Sequence, residues 1–323
     1  MGVIRRLNMM LLVVAAVVFS LMLRRIDWQD LMHSFLQAGR SWPLLLIPYG
    51  VTCYFWTLSW RSLLISKIGC PPIRRLFFLR LAGESLNQLT PTASLGGEPF
   101  KALRLQANGV AWQEAAASLV IHKALMVLSL VLYIFIGLAL IPITFPGISH
   151  RLALFSCLAA TVLAAAGVVF TGLQRRNPCL SFLRLLQRLS LCPAALLAKE
   201  AELASLDAFL AAFYREHPGA GFKALLFFLL GWLTHAVEVW LIFRLLGHPI
   251  SFGLALCLDA LSQLVAGLGF MIPASLGVQD GGNILLSLGF NLGATLGAGF
   301  SILRRFREAF WLLLGLLAVA REK

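Results

Sequence analysis

The sequence predicts an all-α polytopic membrane protein with about six full spans and two re-entrant helical hairpins arranged as an inverted repeat. Hydrophobic residues make up 59% of the 323 residues and charged residues only 13%, whereas a soluble domain carries about 25% charged residues. Two apolar segments are each interrupted by helix breakers and polar side chains, and they resemble each other. These features favour a membrane protein with one broken helix in each half.

The first interrupted segment, residues 73–107, collects polar side chains around a break. Glu84, Asn87 and Gln88 are spaced i, i+3 and i+4, so they share one face of a helix. The break at 91–97 begins with a proline and ends with two glycines. Lipid cannot pair the backbone groups that a break frees, so we expect the segment to line a substrate site. The candidate residues here are Glu84, Asn87, Gln88, Pro91, Ser94, Gly96, Gly97, Glu98, Lys101 and Arg104.

A new helix is expected to begin after this break. Glu98 would lie in its first turn, where a carboxylate complements the helix dipole. Lys101 and Arg104 follow on the same helix, so an anionic headgroup could meet free N–H groups first and the two cations next. In the alternative interpretation, these cations only anchor the hairpin at the cytoplasmic interface.

The second interrupted segment, residues 253–299, repeats the first. The four residues 93–96 recur as 274–277, and the block 84–89 resembles 259–264, with a longer gap between the blocks in the second copy. We expect this hairpin to open from the outside, with arginines 304, 305 and 307 as its charge partners; alternatively, Glu308 pairs with Arg304 or Arg305 along its own helix. The candidate residues are Asp259, Gln263, Pro273, Ser275, Gly277, Gln279, Asp280, Arg304, Arg305 and Glu308.

Two pairs of ionisable residues lie outside the hairpins. His122 and Lys123 precede the third predicted span, 125–143, and are expected at the membrane interface. His235 and Glu238 are spaced i, i+3 within the fifth predicted span, 224–243. We interpret them as a packing pair, with a proton relay as the alternative.

The basic residues set the predicted topology. Arginines flank the second span most densely, which places that end in the cytoplasm. Both termini are then cytoplasmic, and the location is a bacterial inner membrane. The predicted organisation is a single transmembrane domain with an N-terminal span and interfacial helix (1–40), a first repeat (41–173), a cytoplasmic amphipathic connector (174–222) and a second repeat (223–323).

Composition also argues against other classes of function. The net charge of +13 comes from basic residues between apolar spans, which suits anionic lipids and gives no reason to expect nucleic acid as a partner. Six cysteines form no CxxC pair. Asp259 and Asp280 lack the flanking residues of an intramembrane aspartyl protease. We therefore expect no enzymatic activity, no metal site and no cofactor.

The first break resembles a known family. The residues that carry the resemblance form the pattern Asn87-x-x-x-Pro91-x-x-x-x-Gly96-Gly97-Glu98-Pro-Phe-Lys101-Ala-x-Arg104. This pattern is similar to that of the flippase-like family, which includes the transmembrane domain of lysylphosphatidylglycerol synthases. The Gly-Gly-Glu-Pro-Phe-Lys form looks most like the branch associated with hopanoid-biosynthesis loci. The resemblance implies movement of polar-headed lipids between leaflets, without the soluble aminoacyl-transferring domain of the synthases.

We therefore expect a lipid translocase that works by alternating access. Its substrate would be a polar-headed lipid of anionic or isoprenoid type, namely a phospholipid, a polyprenyl phosphate or a hopanoid-type lipid. The proton gradient is the expected energy source, with Glu98 or Asp280 as carrier. Further expected partners are a second copy of the chain and lipid-biosynthesis enzymes. The alternatives are an enzyme that modifies a lipid headgroup, using Glu84 or Glu98 as general base, and a scaffold that docks partners on 174–223.

Overall fold

The computed structural model describes residues 39–66, 69–89, 96–145, 178–188, 200–269 and 275–321, together with isolated residues between these ranges. Every regular element in these ranges is a helix, which confirms the all-α prediction. A 3₁₀ helix (Gly39–Leu45) comes first. The α-helices follow as α1 (Leu46–Leu63), α2 (Ile73–Leu89), α3 (Glu98–Ala107), α4 (Trp112–Thr144), α5 (Pro178–Arg188), α6 (Glu200–Glu216), α7 (Pro218–Leu245), α8 (Phe252–Leu268), α9 (Val278–Gly289) and α10 (Ala294–Arg321).

Helices α2 and α3 form an antiparallel pair around the first predicted break. Gly97 is the N-cap of α3, and Pro99 occupies its first turn, where a fixed φ and a missing N–H are no handicap. A Cβ on Gly97 would lie 1.9 Å from the carbonyl oxygen of Gly83. The two backbones therefore touch, and only glycine permits that approach.

Helices α8 and α9 form the corresponding pair in the second half. Ser251 caps α8 by accepting a 3.2 Å hydrogen bond from the N–H of Leu254. Gly277 precedes α9 with φ of 78°, a conformation that favours glycine. The second helix ends at Gly289 and α10 begins at Ala294, so the predicted end of the hairpin at 299 lies too far along the chain. The repeated sequence was enough to predict the break before α9. The turn at 290–293 was not predicted, because the residues around it are mainly apolar.

Helix α4 begins well before the predicted span at 125. It has 33 residues, and its first half buries Glu114 and His122. The imidazole Nε2 of His122 lies 3.2 Å from the carbonyl oxygen of Trp56. His122 is therefore buried against α1, and its predicted position at the membrane interface stays a prediction.

Two helices within the described residues, α4 and α7, are long and apolar enough to cross a membrane. The total of six spans and the re-entrant insertion of the two helix pairs stay predictions. The predicted N-terminal span and interfacial helix lie outside the described residues, apart from isolated positions.

The most extensive helix contact joins α1 to α7. The indole Nε1 of Trp56 donates to the carbonyl oxygen of Phe228 at 3.3 Å. The hydroxyl of Thr52 lies 2.5 Å from that of Thr234. Residues later in α1 thus contact residues earlier in α7, so the two helices are antiparallel.

Two further contacts match each other across the halves. Helix α2 packs on α10, and α8 packs on α4. A Cβ on Gly315 of α10 would lie 2.0 Å from Ser85 Oγ, and a Cβ on Gly137 of α4 would lie 2.4 Å from Ala260 Cβ. Ser85 and Ala260 occupy the same position in the sequence repeat. In both halves, therefore, a glycine lets a long helix approach the same site on the broken one.

The predicted connector contains two helices in its described residues. Helices α5 and α6 pack on each other, and α6 also packs on α4. The carboxylate of Asp207 on α6 accepts the N–H groups of Cys179 and Leu180, each at 2.9 Å. Asp207 therefore caps α5 from a separate helix.

Candidate functional site

Asn87 closes the first break. Its Oδ1 accepts the N–H of Gly97 at 2.7 Å, and its Nδ2 donates to Glu98 Oε1 at 3.2 Å. The same carboxylate oxygen accepts from Lys101 Nζ at 2.7 Å. Asn87 thus pairs a backbone group freed by the break and positions the acid that follows it. Pro91 and Ser94 lie outside the described residues.

Lys101 is buried, with 2% of its side chain exposed. Its methylenes lie against Gly83, and its ammonium lies 5.6 Å from the ring centroid of Trp60. Arg104, one turn later, is half-buried and stacks on Phe100 at 5.5 Å. In this conformation Lys101 is therefore a partner of Glu98 rather than an open cation at the start of α3. The sequence placed Lys101 and Arg104 on this helix, but it could not show that Lys101 pairs with Glu98.

A cavity of about 460 Å³ opens beside Glu98. One wall is a stripe along α4, formed by Ala116, Val120, Lys123 and Val127 at helical spacing. Glu98 and Lys123 are the charged residues of a lining that is otherwise mainly apolar. The second carboxylate oxygen of Glu98, Oε2, is buried without a hydrogen-bond partner among the described residues. Glu98 itself lines the cavity, so a shift of its side chain would present this acceptor to a ligand that brings a donor.

The second break is held by Ser275 and Arg305. Ser275 Oγ donates to the carbonyl oxygen of Ala266 at 3.0 Å, near the end of α8. Arg305 binds the Asp280 carboxylate through two bonds of 2.9 Å and donates to Glu308 at 2.7 Å. The predicted pairing of Asp280 with an arginine of α10 is therefore present, and so is the local pairing of Glu308 with Arg305. The two-bond contact between Arg305 and Asp280 fixes α9 against α10.

Asp259 and Arg304 form a fully buried ion pair between α8 and α10, with 0% and 2% of their side chains exposed. The hydroxyl of Tyr133 donates to Asp259 at 2.8 Å, and Gln263 donates to it at 3.3 Å. Arg304 also donates to Ser262 at 2.9 Å. The sequence predicted Asp259, Gln263 and Arg304 for this site and missed Tyr133, which is one apolar-looking position in a long span.

Gln279 belongs to a buried polar network. It donates to Ser262 Oγ at 3.3 Å, and Ser262 donates to Asn283 at 2.6 Å. Asn283 in turn donates to Ser301 at 3.1 Å. The network joins α8, α9 and α10, so Gln279 has a structural role in this conformation. Polar residues inside apolar segments, namely Asn283, Ser262 and Ser301, were the sequence signal that could have revealed this network.

A second buried ion pair joins α7 to α10. Arg307 donates to Glu238 at 2.9 Å, and its guanidinium stacks on Tyr49 at 4.1 Å. His235 stacks on Trp56 with ring centroids 5.6 Å apart. The Glu238 side chain thus faces an arginine of α10, and the histidine lies in an aromatic cage. This agrees with the packing interpretation of the pair, whose proton-relay alternative stays untested.

Polar groups connect the two breaks through other helices. Glu84, near the first break, interacts electrostatically with Arg80, Lys101 and Lys123. Tyr49 of α1 packs against Leu81 of α2 and stacks on the guanidinium of Arg307 on α10. The extensive contacts of α2 and α8 are with α10 and α4 rather than with each other. Side chains from α1 and α10 therefore lie between the two helix pairs.

The comparisons with known proteins add a family. The sequence model described as the lysylphosphatidylglycerol synthase TM region matches residues 9–315. No curated protein matches the chain. Among the described residues there is no group of three or more His, Cys, Asp or Glu side chains that could hold a metal ion.

Proposed function

The chain belongs to the family of the lysylphosphatidylglycerol synthase TM region, and from this premise we propose that it moves a polar-headed lipid between the two leaflets of its membrane. Membership makes it a membrane protein related to lipid synthesis or translocation. The step from that class to translocation is our proposal, and the arrangement around Glu98 supports it.

The cavity beside Glu98 is the observation that carries the proposal. The apolar residues of its wall on α4 suit lipid chains, while Lys123 suits an anionic group of the headgroup and the Glu98 carboxylate suits a donor. A soluble substrate would find few polar partners on this lining. An amphiphile matches it at both ends, because charge and apolar surface lie side by side.

The matched contacts of the two halves support alternating access. Each broken helix packs on a long helix of the other half, through Gly137 or Gly315. We infer that the α2–α3 pair dips into the membrane from the cytoplasm and the α8–α9 pair from outside, each opening in turn. Inverted repeats with broken helices are a common design for such transporters. The proposed boundaries of the two repeats, 41–173 and 223–323, follow this division into two halves.

The two candidate proton carriers differ in their surroundings. Asp280 is held by two hydrogen bonds from Arg305. Glu98 borders the cavity, and its Oε2 has no hydrogen-bond partner among the described residues. We therefore assign proton coupling to Glu98, since a group that must gain and lose a proton during transport needs a free oxygen and access to the substrate.

The remaining parts of the proposal follow from the sequence. The substrate is an anionic or isoprenoid-type lipid, in the class of phospholipids, polyprenyl phosphates or hopanoid-type lipids. The location is a bacterial inner membrane with both termini in the cytoplasm. Association with a second copy or with lipid-biosynthesis enzymes is part of the same proposal.

The test is transport by purified protein in vesicles of defined lipid composition. A fluorescent phospholipid in one leaflet reports translocation when a membrane-impermeant quencher is added. We expect Glu98→Gln to reduce the rate at least about tenfold, the effect of losing one charge-assisted contact. Ala116→Phe, which narrows the cavity without changing charge, should also reduce it. Glu216→Gln is the matched control, because Glu216 is 56% exposed and should leave the rate unchanged.

Full transport in both Glu98→Gln and Ala116→Phe would overturn the proposal. Melting temperatures of the variants separate loss of transport from loss of folding. Product formation from a lipid donor by the same protein, without translocation, would instead favour an enzyme that modifies the headgroup.

A further inference from the structure

A second cavity lies at the end of the α2–α10 contact, apart from the cavity beside Glu98. Its volume is about 400 Å³. The apolar part of its described lining consists of Pro72, of Phe78 on α2, and of Leu314, Leu317 and Ala318 on α10. Its rim carries three arginines, Arg74, Arg75 and Arg321.

The charges and the apolar surface are separated along the groove. Arg74 precedes Phe78 by four residues on α2, and Arg321 follows Leu317 by four residues on α10. Because these helices are antiparallel, both arginines lie at the same end, and both apolar residues lie one turn further in. The groove is therefore basic at one end and apolar at the other.

The basic end suits a phosphate group. Arg75 donates to Asn108 Oδ1 at 2.6 Å, which holds its guanidinium close to the turn after α3. Arg74 and Arg321 are exposed at the same end. None of the described residues that line the cavity carries a carboxylate. Guanidinium groups bind phosphate oxygens through paired hydrogen bonds, so three of them together favour an anion.

The apolar end decides which phosphate fits. Leu317 has 60% of its side chain exposed in this groove, and a membrane would present lipid chains to it. A soluble phosphate would leave that surface uncovered, whereas a phospholipid covers it with an acyl chain. Basic pockets between membrane helices bind anionic headgroups for the same electrostatic reason.

We propose that this groove is a binding site for an anionic phospholipid that stays bound to the protein and is not the transported molecule. Its phosphate lies among Arg74, Arg75 and Arg321, and one acyl chain lies along Phe78 and Leu317. The lipid bridges α2 to α10 at the entrance of the first helix pair. The inference does not depend on transport, because the site lies apart from Glu98 and acts on stability.

The experiment measures stability and bound lipid on the purified, delipidated full chain in detergent. Phosphatidylglycerol should raise the melting temperature, while phosphatidylcholine with the same chains should have little effect. Glycerol 3-phosphate should also have little effect, since it lacks chains. Native mass spectrometry should detect one retained phosphatidylglycerol.

The variant Arg74→Gln/Arg321→Gln should bind phosphatidylglycerol about tenfold more weakly, as expected for two lost phosphate contacts. Arg184→Gln/Arg188→Gln, on exposed positions of α5, is the control with the same change in charge and should respond like the original protein. Arg321→Gln alone, at the last residue of α10, keeps the test decisive if the double variant does not fold.

Three outcomes would overturn the inference. The first is an equal response to phosphatidylglycerol and phosphatidylcholine. The second is an unchanged response in the Arg74 and Arg321 variants. The third is full stabilisation by glycerol 3-phosphate, which would assign the site to a soluble phosphate.

Discussion

The buried pair of Asp259 and Arg304 gives the sharpest prediction. Asp259→Asn leaves Arg304 as a lone buried cation, with Ser262 and a neutral amide as its closest partners. Breaking a buried ion pair by removing one partner costs about 3–5 kcal/mol, because the remaining charge stays out of water. Arg304→Gln should cost a similar amount, since it leaves Asp259 with Tyr133 and Gln263 as its donors.

The double variant Asp259→Asn/Arg304→Gln removes both charges. It loses the ion pair and about one hydrogen bond to Ser262, but it buries no lone charge. Its expected cost is about 1–2 kcal/mol, the net value of one or two neutral hydrogen bonds. The double variant should therefore be more stable than either single variant, which is the signature of charge compensation.

The measurement is thermal denaturation of the purified proteins in one detergent, followed by helical circular dichroism. The original protein should melt highest, the double variant next and the two single variants lowest. Arg215→Gln is the control, because its ion pair with Glu216 is 79% and 56% exposed and should contribute less than about 1 kcal/mol. A double variant that is as unstable as the sum of the single variants would refute the reasoning.

The other predictions concern packing and a thiol. Gly137→Ala and Gly315→Ala should each destabilise the protein by about 1–3 kcal/mol, because the added methyl group would overlap the facing helix. Gly221→Ala, with open space around it, is the control, and equal melting of all three proteins would contradict the matched packing. In the connector, burial and then the hydrogen bond that the Asp207 carboxylate accepts from the thiol raise the pKa of Cys179 to about 12, so the thiol stays protonated at pH 8 and should alkylate slowly. Asp207→Asn should lower that pKa and speed alkylation, as followed by mass spectrometry of the peptide, and an unchanged rate would argue against the contact.

Much of the fold could be predicted from composition and local pattern. The helices on either side of the first break begin and end at the predicted limits, Ile73 and Ala107. Prolines and glycines fix such boundaries by local backbone geometry, which needs no tertiary information. The start of α4 was missed for the opposite reason. Glu114 accepts the N–H of Ser66, just after α1, and His122 lies beside the carbonyl oxygen of Trp56 on α1; only these tertiary contacts explain why both side chains are buried.

The same division runs through the candidate site. The sequence by itself determined the helical class, the two breaks and the acids beside them, because apolar content, helix breakers and i, i+3, i+4 spacing are local properties. Only the tertiary structure decided which cation meets which acid: Lys101 with Glu98, Arg304 with Asp259, Arg305 with Asp280. It also placed Glu98 beside a mainly apolar cavity, with one carboxylate oxygen that no other described residue pairs. Pairings and cavities depend on how distant helices pack, and charges repeated along a chain are compatible with many such arrangements.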